Sequence, residues 1–124
     1  MPQANEKTVL IAEDIPEVRR LLAKQIAGMG YGVETVSSGD AAYAALEKKQ
    51  HFYALVTDSF MPGTLEGGEL IRLAKARWPH LICLLVSGYT DPESDVELEK
   101  IHGVKVLRKP VRRKVLLSAL ASEL

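Results

Sequence analysis

The sequence predicts an α/β fold: a doubly wound, five-stranded parallel sheet with helices on both faces. Three observations carry this. Five short runs are rich in Val, Ile, Leu and Thr, longer helix-length segments alternate with them, and no repeat, linker or low-complexity tract interrupts the series. Strands and helices in strict alternation pair the strands in parallel and cover the sheet on both sides. The chain has 124 residues, 47% of them hydrophobic and 26% charged. That suits one domain, residues 1–124, burying about two-thirds of its extended surface. Residues 1–7 are expected to be a flexible N-terminal lead.

The first strand is expected at residues 8–12 (TVLIA), apolar on both alternating faces, as in a strand covered on both sides. A helix over 17–29 places Val18, Leu21, Leu22, Ile26 and Met29 on one face. The second strand, 33–36 (VETV), is followed by an alanine-rich helix over 40–49, with Ser37-Ser38-Gly39 as N-cap material. The third strand, 53–57 (YALVT), precedes a helix over 68–78 that turns Leu70, Ile71, Ala74 and Trp78 inward and stops before Pro79. Residues 81–86 (LICLLV) make the fourth strand. The acidic helix over 91–101 carries a thin stripe of Val96, Leu98 and Ile101. A short fifth strand, 105–107, leads to a final helix over 111–124 with Val115, Leu116, Ala119 and Leu120 toward the core.

Charge and cysteine usage exclude several classes. Sixteen basic and sixteen acidic residues cancel, so no global field draws the chain to nucleic acid or an anionic membrane. The single cysteine, Cys83, cannot form an internal disulfide and reads as a small buried hydrophobe. No apolar run approaches the ~20 residues that span a bilayer, and residues 1–7 lack the apolar stretch of a signal peptide. A cytoplasmic location is the expectation.

Parallel sheets of this kind bind ligands at the carboxyl ends of their strands. The residues there are Glu13-Asp14, Asp58, Ser87-Gly88 and Lys109-Pro110. Each alone has a plain structural reading: a helix cap at Asp14, turns at Asp58 and Ser87, a solvated loop at Lys109. Their coincidence at four strand ends argues for a site. Two carboxylates ~5 Å apart repel by about 3 kcal/mol at an effective dielectric near 20. A hard divalent cation with oxygen ligands relieves that, and Mg2+ is the natural candidate. A carboxylate beside such an ion can attack a phosphoryl group, with a lysine and a hydroxyl to stabilise the transferring oxygens.

Taken together, VLIAED (9–14), VTDSFMPG (56–63), LLVSGY (84–89) and LRKP (107–110) resemble a response regulator receiver domain of two-component signalling. The likeness spans essentially the whole chain. It implies a flavodoxin-like sheet of order 2-1-3-4-5. It implies that Asp58 takes a phosphoryl group from a phosphohistidine on a histidine kinase or histidine phosphotransfer protein. Asp14, Asp58 and the backbone carbonyl of Phe60 would ligate Mg2+, with Glu13 acting through water. Lys109 would pair with the carboxylate and then the phosphate, Ser87 would hydrogen-bond a phosphoryl oxygen, and the Lys109–Pro110 peptide would be cis.

Three departures from the family pattern stand out. The acidic pair is Glu-Asp instead of Asp-Asp. The loop 63–68 is about one residue longer than usual and, with SGY and LRKP, looks more like receivers attached to hybrid histidine kinases. Val106 stands where a switching aromatic is usual, so Tyr89 and the segment 91–101 are expected to carry the rearrangement, with Val106 a passive core residue. A haloacid dehalogenase-type hydrolase would need an aspartate where this chain has Phe60. The remaining alternative is a receiver-shaped interaction module that works without phosphate. His51, His80 and His102 lack metal-ligand spacing and are expected at the surface. The acidic 91–101 and basic 105–114 stretches read as solvated faces or as complementary surfaces of a homodimer.

Overall fold

The computed structural model describes residues 7–49, 51–61, 63, 65–88 and 92–121, with residues 92–95 described by their backbone alone. Ten elements alternate along the chain: β1 (Thr8–Ala12), α1 (Pro16–Gly28), β2 (Gly32–Val36), α2 (Gly39–Lys49), β3 (Ala54–Asp58), α3 (Gly67–Arg77), β4 (Ile82–Ser87), α4 (Pro92–Glu99), β5 (Val104–Arg108) and α5 (Arg113–Ala121). The sheet is parallel throughout, in the order β2-β1-β3-β4-β5. The predicted architecture and strand order are those observed.

Side chains alternate across the central strands and build two cores. Leu10, Leu55, Cys83 and Leu85 face α2, α3 and α4, where they meet Leu46, Leu70, Ile71 and Leu98. Val9, Ile11, Val56, Leu84 and Val86 face α1 and α5, meeting Leu22, Ile26, Leu116 and Leu120. β3 is buried along its whole length, which is why its sequence reads as an apolar run instead of an alternation. The outer strand β2 is half-buried and admits Glu34 and Thr35.

The helix faces differ from the sequence expectation at three positions. Leu21 is 57% exposed, because the buried stripe of α1 runs through Leu22 and Ile26 with Val18 and Ala23 beside it. Val115 is 47% exposed, since Leu116, Ala119 and Leu120 complete an i, i+3, i+4 stripe without it. Val96 also faces outward, leaving Leu98 as the buried anchor of α4, with Ile101 packing half-buried beyond the helix end. The strand ends shift too: Asp58 and Ser87 are the last strand residues of β3 and β4, not the first loop residues. Of the expected lead at 1–7, residues 1–6 lie outside the described residues, as do the helix end at 122–124 and Tyr89, while the Lys7 carbonyl accepts the Gly32 amide at 3.0 Å and its ammonium lies 4.7 Å from the Tyr53 ring centre.

At the opposite end of the sheet, Lys75 is buried and donates to the carbonyls of Pro79 (2.6 Å) and Leu81 (2.7 Å). It thereby fixes the α3–β4 connection, and burial lowers its pKa. Trp78 follows α3, its ring tilted against Tyr43 at 5.7 Å and under the Arg77 guanidinium at 4.8 Å. Cys83 is buried as expected, and burial pushes its thiol up to about 12. The three histidines are exposed.

Candidate functional site

Strand register sets the site. Ala12 pairs with Thr57, so Glu13 leaves β1 beside Asp58; Asp58 pairs with Val86, so Ser87 stands one step past it. The amide of Glu13 donates to Val36 (3.1 Å) and that of Ser59 to Val86 (3.1 Å), extending the ladder just beyond the strands. Glu13, Asp58 and Ser87 are buried, while Asp14 is half-buried at the start of the β1–α1 turn.

Among the described residues, Glu13, Asp14 and Asp58 each offer a carboxylate oxygen, and these atoms all lie within 4.8 Å of one another. Lys109 reaches in from the end of β5, its Nζ 3.1 Å from Oδ1 of Asp58. The lysine side chain is 35% exposed and the aspartate 6%, so the pair joins a buried acid to a partly solvated cation. The Lys109 amide donates to the Ser87 carbonyl at 3.0 Å, and the Lys109–Pro110 peptide is cis. Phe60 lies two residues past Asp58 and is 77% exposed.

Burial pushes the Glu13 carboxyl up to about 7; the Ile15 amide, which donates to its Oε2 at 3.0 Å, opposes this, and the Asp58 charge adds to it. Two or more carboxylates this close and this dry call for a counter-charge. The donor set is all oxygen, hard and anionic, with carboxylates on two neighbouring strands, and it fits Mg2+.

Small residues let the backbones close around this centre. A Cβ on Gly67, the first residue of α3, would lie 2.1 Å from the Asp58 carbonyl oxygen, and the Gly67 amide donates to Ser59 at 3.1 Å. A Cβ on Gly39, at the start of α2, would lie 2.3 Å from the Leu65 carbonyl oxygen. These contacts pin the β3–α3 loop that follows Asp58. Sequence reasoning noted the glycines of this loop only for its length, although a glycine opening the helix after a strand-end site can signal close backbone approach. It also passed over Arg19, whose Nη1 donates to the carbonyls of Glu13 (2.9 Å) and Asp14 (3.5 Å).

Residues 9–121 match the sequence profile described as the Response regulator receiver domain. The response regulator receiver protein CpdR of Brucella abortus is 34% identical over 104 residues, covering 84% of this chain and 85% of that protein. The response regulator protein FleR of Pseudomonas aeruginosa is 31% identical over 113 residues, 91% of this chain but only 24% of that protein. This chain therefore spans about a quarter of FleR's length. Among solved structures, the chemotaxis protein CheY4 of Vibrio cholerae superposes with a TM-score of 0.82 at 26% identity, over 95% of this chain and 98% of that one.

Proposed function

Because the chain belongs to the response regulator receiver domain family, we propose that Asp58 is its phosphoacceptor in a two-component or phosphorelay system. The observation that carries this is the setting of one carboxylate: Asp58 is buried, lies within 4.8 Å of the Glu13 and Asp14 carboxylates, and is ion-paired to Lys109. The donor is a phosphohistidine on a histidine kinase or histidine phosphotransfer protein.

In the proposed step an Asp58 carboxylate oxygen attacks phosphorus. The new P–O bond forms as the P–N bond breaks, and its electron pair stays on the leaving imidazole. Lys109 passes from the carboxylate to the phosphoryl oxygens, and the Ser87 hydroxyl donates to one of them. Asp14, Asp58 and the Phe60 carbonyl would hold Mg2+, with Glu13 acting through water. When bound, the ion supplies the positive charge that the three carboxylates and the transferring group require. Attack of water on the same phosphorus returns the Asp58 carboxylate, so the domain also ends its own signal.

Several finer assignments go with this reading. Val106 has no ring to turn inward, which supports Tyr89 and the segment 91–101 as the moving parts. Exposed Glu97 and Glu99 on α4, and exposed Arg112, Arg113 and Lys114 near α5, support a homodimer through these opposed surfaces. The longer loop after Met61, with SGY and LRKP, supports a likeness to the receivers of hybrid histidine kinases. Among the described residues no helix is long and apolar enough to cross a membrane, and the assigned site of action is the cytoplasm.

The test is incubation with phosphoramidate and Mg2+, followed by intact mass and peptide mapping. A single phosphoryl adduct on Asp58 is expected, absent from Asp58→Asn. A folded chain that takes no adduct at Asp58 overturns the reading.

A further inference from the structure

We infer that Arg19 is a positioning residue for the acidic pair, holding Glu13 and Asp14 in the geometry that receives Mg2+; this rests on the site proposed above. The two acids leave the sheet in an irregular turn between β1 and α1. Their mutual repulsion, with Asp58 beside them, favours spreading.

The Glu13 amide is fixed to Val36 and its carboxylate to the Ile15 amide. What remains is the pair of peptide planes after Glu13 and Asp14, which set the direction of the Asp14 side chain. Arg19 Nη1 reaches both planes, 2.9 Å from the Glu13 carbonyl and, more weakly, 3.5 Å from that of Asp14. Arg19 lies in the first turns of α1, its own amide bonded to Ile15 at 2.9 Å, so the guanidinium is delivered from a rigid stem. The bonds go to main-chain oxygens, so Arg19 positions the ligands without competing for their carboxylates. Groups that hold metal ligands from behind typically change affinity ten- to a hundredfold when removed.

Electrostatics alone predicts the opposite sign. Deleting a cation near an anionic cluster strengthens its attraction for Mg2+, whereas losing a tether weakens binding. Arg20, the next residue and exposed, serves as the comparison for loss of one positive charge from the same turn of α1.

The experiment is calorimetric titration of Mg2+ into the full chain and three variants, with melting temperatures recorded in metal-free buffer. Arg19→Ala is expected to weaken Mg2+ about tenfold, and Arg19→Lys, which keeps the charge but not the reach, about threefold. Arg20→Ala should leave the dissociation constant unchanged or slightly tighter. An Arg19→Ala protein that melts lower but binds Mg2+ within twofold of wild type overturns the inference, as does tighter binding. If Arg19→Ala does not fold, Arg19→Lys decides: binding within twofold of wild type overturns it. A wild-type chain that binds no Mg2+ overturns the proposed metal site itself, a separate failure seen before any variant is compared.

Discussion

The carboxylate of Glu99, at the end of α4, accepts the main-chain N–H of Val106 on β5 at 3.1 Å. β5 is the outermost strand on its side of the sheet, and edge amides left unpaired invite foreign strands. The bond ties α4 to the strand position where the family usually places its switching aromatic. Glu99→Ala should therefore speed hydrogen exchange of the Val106 amide about five- to tenfold, as loss of one modest hydrogen bond predicts. Glu99→Gln, which keeps an acceptor, should change it little. Unaltered exchange at Val106 in the alanine variant would remove Glu99 as the tether.

Glu13 makes metal-free stability depend on pH. The native state keeps its proton up to about 7, against 4.5 for an unperturbed carboxyl. A group with a raised native pKa stabilises fully below the unfolded value and loses that contribution as pH rises through the native one. In chelator-treated buffer the melting temperature should therefore fall between about pH 4.5 and 7, on this group's account. Calorimetry on Glu13→Gln should show a flatter profile over the same window; an identical slope would place the titration elsewhere.

Mg2+ should stabilise the wild-type domain by mass action on the native state, by about 2.7 kcal/mol at a hundredfold excess over the dissociation constant, and so raise its melting temperature. Asp14→Ala should lose most of that rise while melting normally without metal, because it also relieves repulsion among the three carboxylates. A full magnesium response in this variant would show that Asp14 is not a ligand.

Two glycines should answer oppositely to alanine. At Gly67 the new methyl would meet the Asp58 carbonyl at 2.1 Å and Leu85 at 2.8 Å, so α3 must shift, at a cost of about 1–3 kcal/mol. At Gly28, the last residue of α1, nothing lies within 4 Å, and alanine should be neutral or stabilise by up to about 1 kcal/mol. Urea denaturation of the pair checks both, and a silent Gly67→Ala would mean the loop has more slack than its contacts show.

The sheet was legible because β1, β3 and β4 are buried on both faces, and only apolar runs survive there. The acids were legible because a carboxylate at a strand end is visible in residue type. Leu21 and Val115 misled because each adjoins a truly buried leucine, Leu22 or Leu116; a helical wheel resolves neighbours 100° apart poorly near the edge of a stripe. Arg19 and Lys75 escaped notice for another reason. Both act on main-chain carbonyls, and a carbonyl leaves no trace in residue type. Gly67 matters through the atom it lacks.

A protonated Glu13 carboxyl would make cation loading at the proposed site an exchange reaction. Burial holds the Glu13 pKa well above the ordinary carboxyl value, and a divalent ion bound beside it would favour loss of that proton. Mg2+ uptake would then be accompanied by proton release. Mild acidification would compete with such an ion directly, so occupancy of the site should follow the acidity of its surroundings.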